Sequence, residues 1–113
     1  MNKLITAFAA SLLMLSSAVF AEEHSKASLE HAQAAVEQGQ AGETKKLVEH
    51  AEAALEHALA GALVTKGKQK NHLQEGANEL EEAINHGNLG HGPDATKHAE
   101  AALVHIKAAN ENP

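Results

Sequence analysis

Residues 47–61 read LVEHAEAALEHALAG, and the fold turns on this stretch. Leu47, Ala51, Ala54, Leu55, Ala58 and Leu59 recur at the three- and four-residue steps that place side chains on one face of an α-helix. Beside that apolar stripe stand His50 and His57, seven residues apart. Variants of the unit return three more times. The stripe predicts a small helical bundle, and the histidines decorate its flank.

Working outward, the same period and its punctuation outline four helices. The first is expected from about Ser25 to Gln38, with Gly39 as its stop. The second runs from Thr44, read as an N-cap, to Ala60 or a few residues beyond. Thr65 to Asn71 (TKGKQKN) reads as a hinge. The third helix is expected from His72 to His86, after which Gly87, Gly90 and Gly92 break the pattern. Pro93-Asp94 then starts a fourth helix that ends near Ala109. No segment alternates in the manner of a strand. The short connections favour antiparallel neighbours. The expected fold is therefore all-α: an up-down-up-down four-helix bundle made of two repeated helical hairpins, at about 22–64 and 72–110.

The 113-residue chain opens differently. Lys3 is followed by an apolar run to Phe20, then by Val19-Phe20-Ala21 before the acidic pair Glu22-Glu23, the pattern of a secretory signal peptide cleaved after Ala21. An uncleaved membrane anchor is the competing reading, disfavoured because a cleavage-site pattern ends the run and no basic stop-transfer cluster follows. The remainder, residues 22–113, is one small His-rich domain, expected in the periplasm as a monomer free of the membrane.

That remainder carries 8 Lys against 15 acidic residues and keeps none of the chain's Phe or Met. A nucleic-acid partner, which needs a basic face and aromatic platforms, is not expected. Cysteine is absent throughout. The donors left for a metal are imidazole, carboxylate and amide.

The histidines form a lattice. Aligning Val36, Leu55, Ile84 and Leu103 superposes the four helices at offsets of 19, 29 and 19, so the two hairpins repeat at 48, an internal duplication. The first hairpin then offers His24, His31, Gln38, Glu43, His50 and His57 at positions equivalent to His72, Glu79, His86, His91, His98 and His105 in the second. All nine histidines fall on these twelve positions.

Residues seven apart on one helix are separated by about 10.5 Å along the axis. One ion cannot bridge them. Antiparallel helices instead bring together residues whose numbers share a constant sum. That rule pairs His24 with His57, His31 with His50 and Gln38 with Glu43. In the second hairpin it pairs His72 with His105, Glu79 with His98 and His86 with His91. Each hairpin thus offers three layers along an outer groove. Glu75, three residues after His72, and Glu82, four before His86, stand at facing spacings to complete coordination.

A lone surface histidine needs no explanation, but Lys, Glu and Gln are better helix formers, so nine at fixed spacing call for one. The candidate metal ligands are His24, His31, His50, His57, His72, Glu79, His86, His91, His98 and His105. Imidazole with carboxylate suits Cu(II), Ni(II) and Zn(II), and the Irving–Williams order puts Cu(II) first. Several ions per chain are expected. Cleavage after Ala21 would also leave Glu22-Glu23-His24 at a free amine, a square-planar arrangement suited to Cu(II) or Ni(II).

At the repeated H-A-x-x-A-aliphatic-x-H pattern (His50 to His57, His98 to His105, and a partial copy from His31 to Gln38), the chain resembles the small metal-binding protein family of the bacterial periplasm. The LVEHAEAALEHA and ATKHAEAALVH segments and the NHGNLGHG turn carry the likeness over essentially the whole of residues 22–113. The resemblance implies a short, secreted, helical protein that binds several copper ions and serves copper tolerance. It passes the ligand role to the histidine at each matching position, while Gln38, Glu43 and Glu79 stand where the lattice could hold histidine.

Three other classes compete. A haem-binding electron carrier would need axial ligands inside the bundle and a large apolar pocket, whereas these histidines lie on the flank. A helical periplasmic chaperone would want exposed aromatic or basic amphipathic faces. Clustered imidazoles could also make a pH-responsive protein, since protons and metals compete for the same nitrogens. An enzyme is not expected, because no nucleophile stands with a base.

Overall fold

Alanine sets the architecture. In the computed structural model, which describes residues 17–111, Ala32, Ala35, Ala51, Ala54, Ala58, Ala77, Ala83, Ala95, Ala99 and Ala102 are buried around Leu47, Leu80 and Ile106. Side chains this small let helices approach toward the near end of the about 8–10 Å range of interaxial distances. The helices are α1 (Ser17–Gln40), α2 (Thr44–Leu63), α3 (Gly67–Asn88) and α4 (Gly92–Glu111). Each packs on the next in sequence, and α1 also packs on α4, closing a four-helix bundle. The described residues contain no strand. Close approach is visible at Gly76 of α3, where a Cβ would fall 2.6 Å from Ile106 Cγ1 of α4.

Two connections are built alike, 48 residues apart. Gly42 and Gly90 adopt φ of 78° and 79°, the left-handed conformation that glycine takes without a Cβ penalty. Around each, the backbone closes a Schellman motif. In the first turn Gly42 N–H donates to Gly39 O and Glu43 N–H to Gln38 O, at 3.1 and 2.8 Å. In the second, Gly90 N–H donates to Gly87 O and His91 N–H to His86 O, at 3.0 and 2.8 Å. The last residue of each motif also opens the next helix, because Glu43 O accepts from Leu47 N–H and His91 O from Ala95 N–H. A reversal this tight fixes the register of both hairpins.

Several expected boundaries are corrected. Among the described residues helix α1 begins at Ser17, upstream of the expected Ser25, and Ala21 is buried. The first sixteen residues of the expected signal peptide lie outside the described residues. Thr44 is not the N-cap: Glu43 holds that position without a side-chain capping bond, because the Schellman turn already places it there. Most of the expected hinge at 65–71 is helical. Lys68, Gln69 and Lys70 are good helix formers, so only residues 64–66 separate α2 from α3. The Thr65 hydroxyl donates to Gly61 O, and Gln69 Nε2 donates to Ala109 O, which ties this corner to the end of α4.

Candidate metal centre

The histidines occupy one flank of each helix, beside the buried alanines. Eight of the nine are half-buried, and His91, in the α3–α4 turn, is exposed. Because Ala51, Ala54 and Ala58 bring α2 close to α1, rings on the two helices meet directly. His24 Nδ1 lies 3.1 Å from His57 Nδ1, and His31 Nδ1 lies 3.4 Å from His50 Nδ1. One ring of each pair must donate and the other accept. His31 also stacks on His57, with ring centroids 5.9 Å apart, so the two layers form a continuous ladder.

The groove between α3 and α4 follows the same register with different chemistry. His72 faces His105, and His86 faces His91, with ring centroids 6.2 and 5.8 Å apart. His98 Nδ1 donates to Glu79 Oε2 at 2.9 Å. His86 stacks on His98 at 5.1 Å, again joining neighbouring layers. Glu75 reaches across the groove, its Oε2 lying 2.9 Å from His105 Nδ1. The remaining expected layer, Gln38 with Glu43, is joined only through the backbone bond of the first turn. It adds no imidazole to its groove.

Three groups in the second hairpin converge tightly enough for a single ion: His72, Glu75 and His105; Glu82, His86 and His98; and His86, His91 and Asp94. The donor atoms within each group lie within 4.8 Å of one another. Two ligands bound to one ion at about 2.0–2.2 Å stand roughly 3–4 Å apart, so small side-chain adjustments suffice. His72 Nδ1 and His86 Nδ1 fit this reading further. Both are buried nitrogens with no hydrogen-bond partner, and such an orphan is accounted for when an ion takes the lone pair.

Glu79 is placed differently from the other acids. It belongs to none of the three groups, and its bond to His98 Nδ1 leaves Nε2 as that ring's free nitrogen. A carboxylate in this position orients a ligating imidazole and raises its basicity. Asp94 is the member that sequence reading missed. Its signal was modest: three residues after His91, in the first turn of α4.

Among protein families, the small metal-binding protein family matches the chain over residues 1–109. The chain belongs to that family. A search of curated proteins finds no match. Membership in the small metal-binding protein family makes metal ions the class of ligand, and the converging His/carboxylate groups are the places on this chain suited to hold them.

Proposed function

We propose that the protein sequesters or buffers divalent metal ions in the periplasm, taking Cu(II) first and Ni(II) or Zn(II) with lower affinity, in metal tolerance or homeostasis. The observation that carries this reading is the convergence of imidazole and carboxylate donors in three groups along one groove. Open sites with three protein donors or fewer suit exchangeable ions better than the closed four-ligand sites of structural zinc. The donor set is hard to borderline, and the Irving–Williams order ranks Cu(II) highest on it.

Export rests on the apolar run before Ala21, read as a signal peptide that is removed. No helix among the described residues is long and apolar enough to cross a membrane. The matched turns at Gly42 and Gly90 support an origin by duplication of one hairpin. We read the protein as a monomeric metal-binding protein and not as an enzyme.

Calorimetric titration with Cu(II) tests the reading. At about pH 7.5 heat from several binding events is expected. Near pH 5.5 most of it should vanish, because protons then compete for imidazole nitrogens whose ordinary titration range lies near neutrality. Absence of binding at the higher pH would overturn the proposal.

A further inference from the structure

The two grooves share a register but not a donor set. Stepping back 48 residues from each carboxylate of the second groove gives Ala27 for Glu75, His31 for Glu79, Ala34 for Glu82 and Lys46 for Asp94. Two methyl groups, an imidazole and an ammonium group thus replace four carboxylates. Among the described residues, all three converging groups draw on the second hairpin, and the first contributes none.

The free nitrogens differ as well. In the first groove the rings bond one another through Nδ1, His24 to His57 and His31 to His50, so an ion that draws on both Nδ1 atoms of a layer must displace a hydrogen bond. In the second, the Nδ1 atoms of His72 and His86 have no partner to lose, and the Nδ1 atoms of His105 and His98 are held by carboxylates, Glu75 and Glu79, in place of a second ring.

We propose that the grooves divide the divalent ions between them: Zn(II) occupies the α3–α4 groove, whereas the α1–α2 groove is an imidazole ladder that retains Cu(II) and takes Zn(II) poorly. This rests on the metal-binding reading above and adds selectivity to it. Zn(II) sites draw on three or four protein ligands, a number that a two-imidazole layer does not reach. Two neutral rings also leave the dication's charge uncompensated, while each second-groove group supplies one carboxylate. Cu(II), at the top of the Irving–Williams order and content with a tetragonal arrangement of nitrogens and waters, is the ion that two imidazoles hold best.

Zn(II) titration of the full chain, followed by NMR of the imidazole ring nitrogens, separates the outcomes. The rings of His72, His86, His98 and His105 should respond at Zn(II) concentrations at least about tenfold below those that move His24, His31, His50 and His57. Cu(II), read by line broadening at trace levels, should reach both sets. The double variant A27E/A34E, which grafts the carboxylates of Glu75 and Glu82 onto the first hairpin, should bring Zn(II) to that groove at about tenfold lower concentration. The triple variant E75Q/E82Q/D94N should lose the early Zn(II) response while keeping Cu(II) broadening at His24 and His31. Equal Zn(II) response from both grooves of the unaltered chain overturns the division and leaves metal binding intact. Silence of every ring toward both ions overturns the metal-binding reading itself.

Discussion

Replacing His86 with alanine should lower the affinity of two metal groups at once, each by about 100-fold or more. His86 belongs both to the Glu82–His86–His98 group and to the His86–His91–Asp94 group, so its loss leaves two donors in each. The estimate follows from the about 10- to 100-fold cost of removing a residue that merely supports a ligand; removing the ligand costs at least the upper end. The fold should be untouched. His86 is half-buried on the flank of α3, where substitutions usually stay within about 0.5 kcal/mol, and alanine is the better helix former. Calorimetry with Zn(II) and circular dichroism on the same sample check both halves. Loss of helicity would place His86 in the core and remove the basis for the groove.

Leu80→Ala should act in the opposite sense, on the fold and only through it on the metal. Leu80 is fully buried, with 0% of its surface exposed, in a cluster made mostly of alanines. Such neighbours have no longer side chains to swing into the space left behind. A cost of about 2–5 kcal/mol is expected, toward the upper part of that range. Domains of this size have only about 5–15 kcal/mol to lose, and each kcal/mol moves Tm by roughly 4–8 °C. A fall of roughly 10 °C or more in thermal denaturation should therefore result. Saturating metal should restore part of it, since a ligand present at 100 times its Kd stabilises the folded state by about 2.7 kcal/mol. A variant that melts with the wild type would mean that the alanine layers repack around the missing side chain.

Much of this arrangement was legible in the residues. The apolar period gave the helices, and the constant-sum rule paired His24 with His57, His31 with His50 and Glu79 with His98, all of which are in contact. The pairing of His86 with His91 has a backbone cause besides. The Schellman bond from His91 N–H to His86 O brings residues five apart together at a helix end.

Of the carboxylates, Glu75 and Glu82 were marked by their spacing to His72 and His86, whereas Asp94 and the reach of Glu82 to His98 were harder to foresee. Acidic residues are scattered over every helix, and periodicity alone gives no ground for choosing Asp94 or for having Glu82 reach His98 across two layers. Those choices depend on how α3 and α4 rotate against each other as Gly76 meets Ile106, and packing of that kind leaves no local pattern. The short second connection was hidden for a similar reason. Gly67 reads as a breaker, yet it stands at the start of α3 with φ of 61°, behind Lys66 as the extended N-cap.

X-ray absorption at the copper edge, on protein loaded with less than one equivalent of Cu(II), tests the central claim most directly. The claim is that imidazoles of the hairpin grooves, and not scattered surface carboxylates, hold the ion. The expected spectrum shows two or more nitrogen neighbours with the multiple-scattering signature of imidazole rings. A spectrum of oxygen neighbours alone, without that signature, would contradict the account.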